Sequence, residues 1–233
     1  MSYEELLASA KSCTACALSE RRTNVVFGEG NIHSPLVLVG EGPGETEDQM
    51  GRPFVGRAGK LLDQAIGDAG LTRAQLYITN TVKCRAADWS TGKPVNRAPT
   101  EDEAAACRRW LIPQLGLIQP KVILCVGAPS AKNLIKKDFK ITLERGKYFP
   151  CEFAKTAIAT LHPSYVLRQM NVGGDGGYSL LVQDIARAYE AAVRLASSEV
   201  ASAPVVAAEA DAQAAKGAEQ APEPPDEIQK SLF

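Results

Sequence analysis

Four short apolar runs punctuate an otherwise mixed chain: Pro35–Gly40 (PLVLVG), Leu76–Thr81 (LYITNT), Lys121–Val126 (KVILCV) and Lys155–Leu161 (KTAIATL). Each is nearly continuous rather than alternating, as in strands buried on both faces. Between and around them the apolar spacing changes to a helical period, near residues 57–69, 101–116, 128–136 and 177–196. A further short helix is predicted over residues 3–12, leading into Cys13. Thr100, followed by Glu101 and Glu103, offers a hydroxyl cap and first-turn acids for the helix that starts there. Strands alternating with helices predict an α/β fold, with a mainly parallel sheet covered on both faces. In such sheets ligands bind beyond the carboxyl ends of the strands. The most unusual residue combinations of the chain lie just after these runs.

The pattern fades near residue 197. From there to residue 227 the chain is rich in Ala, Pro and Glu, with no aromatic and no sustained period, a composition that predicts a disordered linker. Three apolar residues return in the last six (IQKSLF, residues 228–233). The body is therefore placed at residues 1–196. The net charge of −1 conceals an imbalance, because seven acids and only two lysines fall after residue 196. The body is left mildly basic, which permits nucleic-acid binding without requiring it. No run of 18 apolar residues suggests a membrane span, and no signal-peptide pattern opens the chain, so a cytoplasmic location is expected. In a reducing compartment the six cysteines point to metal binding or burial rather than disulfides.

Cys13 and Cys16 form a C-x2-C pair (CTAC). Cys84 follows the second strand (TVKCR), and Cys107 lies within the helix that starts near Thr100 (EAAACRRW). Zinc and an iron–sulfur cluster are both open on this spacing, and four thiolates from separated segments can hold a [4Fe–4S] cluster. Cys125, inside an apolar strand, reads as a small buried hydrophobe. The run GEGPGETEDQMGRPFVGRAGKLLD, residues 40–63, joins glycines, acids and a lone Phe54. No G-K-[ST] follows, so it is not a Walker phosphate loop.

Four motifs in order, GEGPGETED, GRPFVGRAGKLLD, TNTVKCR and LHPSYVLR, with the cysteines interleaved, closely resemble the family-four (iron–sulfur) uracil-DNA glycosylases over roughly residues 10–190. The resemblance implies a three-layer α/β/α sandwich around a four-stranded parallel sheet. It also implies a structural [4Fe–4S] cluster on Cys13, Cys16, Cys84 and Cys107, and excision of uracil from DNA. Such an enzyme must take the base out of the stack to reach it. Gly40 and Gly42 would let the backbone approach the flipped nucleotide, Phe54 would stack on the base, and the Asn80 amide would read it. His162 would stabilise the departing base anion. Glu41 and Glu47 would orient water and stabilise the cationic sugar, with Glu45 and Asp48 solvated. Ser164 through Gln169, including Arg168, would form a loop entering the minor groove, with Ser164 a phosphate contact. The final QKSLF resembles the bacterial sliding-clamp-binding pentapeptide through Gln229, Leu232 and Phe233, which implies a clamp as partner. A catalytically silent damaged-DNA binder with the same fold and cluster is the alternative reading.

Overall fold

The computed structural model describes residues 1–90 and 92–202, and Met1–Ser198 form one compact unit within it. In chain order the strands are β1 Glu29–Gly30, β2 Leu36–Gly40, β3 Tyr77–Asn80, β4 Ala87–Asp88, β5 Val95–Asn96, β6 Val122–Val126, β7 Tyr148–Phe149 and β8 Thr156–Thr160. The helices are α1 Tyr3–Lys11, α2 Glu45–Met50, α3 Arg57–Asp68, α4 Glu101–Ile118, α5 Ala128–Leu134, α6 Ile141–Glu144, α7 Pro163–Met170 and α8 Tyr178–Ser202. Among the described residues no helix is long and apolar enough to cross a membrane.

All four predicted strands form. They make the parallel centre β3-β2-β6-β8 of a six-stranded sheet. The sheet is wider than the four strands expected, because the two-residue strands β1 and β7 add antiparallel edges to β3 and β8. Edges this short carry no periodicity a sequence could reveal, and they leave little free strand for unwanted pairing.

The apolar runs are continuous because each strand packs on two sides. Leu36, Leu38, Ile78, Leu124 and Ile158 meet Leu62, Ile66, Leu181 and Ile185 of α3 and α8. Val37, Val39, Ile123, Cys125 and Ala159 face Leu111, Leu115, Ala131 and Leu134 of α4 and α5. The result is helix, sheet, helix, with Cys125 in the core as expected. Truncating one of these side chains, Leu38→Ala for instance, is expected to cost about 2–5 kcal/mol.

Thr100 caps α4 by accepting from Glu103 N–H, and the Glu103 carboxylate returns to Thr100 N–H at 2.8 Å. Two further helices appear where none was expected. In GETEDQM, Glu47 sits three residues into α2 and accepts from Gly44 N–H at 3.1 Å, and the run of acids favours a helix start. Residues 164–169, expected as a groove-entering loop, lie in α7, whose N-cap is His162 and whose Val166 is fully buried. Within the stretch between Cys84 and Cys107, β4 and β5 pair as an antiparallel hairpin ahead of α4, with the Arg21 guanidinium 5.3 Å over the Trp89 ring. Helix α8 runs on to Ser202, past residue 196, and Gln229, Leu232 and Phe233 lie outside the described residues.

Candidate active site

Because β3, β2, β6 and β8 are parallel, their carboxyl ends share one edge. The chain leaves β2 for β3 on one side and later returns to β6 on the other, so the end of β2 is a topological switch point. A cleft of about 690 Å³ opens there. It is lined by Glu41–Glu47 after β2, Phe54 and the start of α3, Asn80 at the end of β3, and His162, Ser164 and Arg168 after β8. The cleft thus gathers Glu41, Gly42, Glu47, Phe54, Asn80, His162, Ser164 and Arg168 from four separated segments.

Asn80 pairs in register with Gly40 and is 1% exposed, yet its Oδ1 has no hydrogen-bond partner. Leaving such an atom unpaired inside a protein costs about 1–3 kcal/mol, so the amide is held here at the expense of stability. Gly40 has a steric role. A Cβ on it would fall well under 3.0 Å from Asn80 Oδ1 and 2.7 Å from Phe54 Cε2. Only a bare backbone lets the ring and the amide converge there.

Phe54 has φ of 50°, a left-handed conformation costing about 1–2 kcal/mol in a non-glycine residue. Its ring is largely buried and lies 5.9 Å, centroid to centroid, from the His162 imidazole at a 35° tilt. Behind it, Gly59 leaves room for the Phe54 carbonyl, which any Cβ there would overlap.

The His162 imidazole is oriented by its own helix. Ser164 N–H donates to Nδ1 at 3.1 Å, and Ser164 Oγ lies 2.8 Å from the same nitrogen. Since Nδ1 accepts the backbone N–H, the proton of the neutral ring sits on Nε2. Burial first, and the Arg168 guanidinium second, push the His162 pKa down to about 4. The ring is thus a neutral Nε2–H donor at physiological pH. Ser164, expected as a phosphate contact, spends its hydroxyl and its N–H on this histidine.

The two candidate acids differ. Glu47 is held by the backbone: Oε1 accepts from Val55 N–H at 3.0 Å and Gly56 N–H at 2.8 Å, and Oε2 from Gly44 N–H. It braces the Phe54 loop, and its oxygens are already engaged. Glu41 makes no side-chain hydrogen bond among the described residues, and burial pushes its carboxyl above the ordinary glutamate range. Asp48, expected to be solvated, is 3% exposed and takes the N–H groups of Thr23 and Asn24. It ties the segment after the C-x2-C pair to α2, whereas Glu45 is exposed as expected.

A second, small pocket lies among residues of α1, the turn after β3 and α4. Cys13, Cys16, Cys84 and Cys107 all line it. Three of their sulfurs accept nitrogen donors: Trp110 Nε1 to Cys13 at 3.1 Å, Arg22 Nη1 to Cys84 at 3.6 Å and Lys83 N–H to Cys107 at 3.2 Å. Among the described residues no three such side chains converge closely enough to clasp a single metal ion. The Lys83 side chain turns toward the sheet, where Nζ donates to Thr79 Oγ1 at 2.6 Å, the Asn80 carbonyl at 2.9 Å and Gln114 Oε1 at 2.6 Å. The cysteine corner and the base of the cleft therefore share one buried network.

The profile of the Uracil DNA glycosylase superfamily matches residues 27–183, a span containing every cleft residue named above. The chain belongs to this superfamily. Within the superfamily, it is 48% identical over 159 residues to the type-4 uracil-DNA glycosylase of Thermotoga maritima, covering 68% of this chain and 79% of that one. The type-4 uracil-DNA glycosylase of Pyrobaculum aerophilum is 37% identical over 182 residues, covering 75% and 89% respectively. The type-5 uracil-DNA glycosylase of Thermus thermophilus is 26% identical over 158 residues, covering 60% and 68%.

Several site residues carry no sequence signal. Asn96 and Arg97, from the β4–β5 hairpin, line the mouth of the cleft, and Arg97 forks onto Glu103 at 2.7 and 2.8 Å. Arg73, from a short turn before β3, holds the back of the Phe54 loop. Trp110 could have been found, since it lies three residues beyond Cys107 on one helix face.

Proposed function

We propose that this protein is a monofunctional uracil-DNA glycosylase that hydrolyses the bond between uracil and deoxyribose in DNA. The observation that carries the reading is the buried, unpaired Asn80 Oδ1 in a cleft between an aromatic face and a neutral histidine donor. Uracil offers an N3–H donor to Oδ1 and an O4 acceptor to the amide nitrogen, whereas cytosine reverses both. Phe54 supplies the stacking face for the flipped base, a contact worth roughly 1–3 kcal/mol in comparable sites. As the glycosidic bond breaks, negative charge collects on the base. An Nε2–H donor on His162 stabilises it without first giving up a proton. Positive charge on the sugar is left near Glu41, the carboxylate with free oxygens to orient a water. Arg57 and Arg168, which line the cleft, would serve as phosphate contacts. On this reading there is no lyase step and the product is an intact abasic site; no lysine that could form a Schiff base lines the cleft among the described residues.

The donor set of the second pocket suits a [4Fe–4S] cluster: four thiolates, with three nitrogen donors on three of the sulfurs. Cys13, Cys16, Cys84 and Cys107 would hold it. It would supply there a structural cross-link between the segment after α1, the turn after β3, and α4. The QKSLF tail, through Gln229, Leu232 and Phe233, would tether the enzyme to a DNA sliding clamp.

Uracil release from a uracil-containing oligonucleotide, wild type beside Asn80→Ala, tests the assignment. Turnover should collapse in the variant. Wild-type protein that binds uracil-DNA without releasing base would favour the silent damage binder instead.

A further inference from the structure

The left-handed turn at Phe54 is held from two sides. On one side Glu47 accepts the N–H groups of Val55 and Gly56. On the other, the Arg73 guanidinium donates to the carbonyls of Pro53 and Phe54. The peptide between Phe54 and Val55 is thereby gripped by its oxygen from behind and its N–H from in front. Arg73 is itself fixed, since Nε donates to Glu29 at 2.8 Å and Nη1 to Asp63 at 2.6 Å. Arg73 is not among the residues lining the cleft, so any effect it has on a bound base passes through Phe54. A non-glycine residue with positive φ relaxes toward the right-handed or extended region once its peptides are free to rotate. That rotation would carry the ring off Gly40 and away from His162.

We propose that Arg73 is a positioning residue for base recognition, acting with Glu47 as the second half of a clamp that holds the Phe54 ring over the base. The proposal rests on the uracil-binding reading of the cleft. It predicts a coupling between two residues, only one of which meets the substrate.

The test is a double-mutant cycle on kcat/KM for uracil release and on inhibition by free uracil. It uses Arg73→Met, Phe54→Ala and the double variant, with melting temperature followed in each. Phe54→Ala alone should lower kcat/KM by about 10–100-fold. Arg73→Met alone should lower it about tenfold and weaken uracil inhibition by a similar factor. Added to Phe54→Ala, Arg73→Met should change kcat/KM less than about twofold. Arg73→Lys guards against misfolding: it keeps a cation beside Glu29 and Asp63 but lacks the fork that spans two carbonyls, so it should fold yet show the same defect. Equal losses from Arg73→Met with and without Phe54 would overturn the clamp and leave the cleft reading standing. Wild-type activity in Arg73→Met and Arg73→Lys would do the same. Wild-type activity in Phe54→Ala would overturn the cleft reading itself, and the clamp with it.

Discussion

Gly40→Ala places one methyl group where the site can least accept it. The new Cβ would press on Asn80 Oδ1 and on the Phe54 ring, whose Cε2 would be 2.7 Å away. Ordinary contact distances are about 3.5–4.0 Å, so the ring or the amide must retreat by about 1 Å. Neither retreats freely: Asn80 is packed at the end of a central strand, and the Phe54 loop is gripped by Glu47 and Arg73. Overpacking of this kind costs about 1–3 kcal/mol of stability. For a body of this size that lowers the melting temperature by roughly 2–12 °C. The effect on turnover should be larger, because a displacement of about 1 Å at a reacting site can cost about 100-fold. The assay is single-turnover uracil release beside thermal melting. Gly116→Ala is the control: a Cβ there meets nothing within 4 Å, and the position is exposed on α4. Alanine at that helix position should stabilise by up to about 1 kcal/mol and leave turnover unchanged. Wild-type turnover and melting in Gly40→Ala would refute the packing argument for the site.

With Glu41 ionised as the working base and its carboxyl raised by burial, kcat/KM should fall on the acid side above the ordinary glutamate value. A pH profile flat down to pH 4 would contradict that role. His162 bears on stability: its pKa is about 4 folded against about 6.5 unfolded, so the unfolded chain binds the proton first. Its contribution is intact above about pH 6.5 and is lost as the pH falls toward about 4, by about 3 kcal/mol at most. Denaturant titrations of wild type and His162→Asn should diverge over that window and no other. Lys83→Met strands the Thr79, Asn80 and Gln114 acceptors in a buried site and should cost about 3 kcal/mol, read as a lowered denaturation midpoint. Cys107→Ala should give protein lacking the brown absorbance of an iron–sulfur cluster, with a lower melting temperature; undiminished iron content would remove Cys107 from the ligand set.

The sheet centre was legible because Leu36–Gly40 and its three counterparts are buried on both faces and must be apolar throughout. The cleft was legible in part through the four ordered motifs and the resemblance they carry, which singled out Phe54, Asn80 and His162; an asparagine after a strand or a lone histidine does not do so by itself. Residues that act through backbone geometry gave no such signal. Glu47 was expected beside Glu41 as an acid that orients water, and only the folded loop shows its oxygens filled by N–H groups. Asp48 looked solvated for the same reason. Arg73 lies 19 residues from Phe54 in sequence, joined to it only through a carbonyl. The loop expected after His162 rested on the resemblance alone, over a segment that holds a proline and a serine. At the first turn of a helix the same two residues are favourable, and α7 uses them there.

The most direct measurement follows both products from DNA carrying a single uracil, incubated with excess protein. Mass spectrometry reads the free base, and gel mobility before and after alkali reads the strand. The account expects free uracil in equal amount to an abasic site that stays unbroken until alkali is added. Absence of free uracil would contradict the glycosylase assignment, and strand cleavage without alkali would contradict a mechanism that uses no lysine.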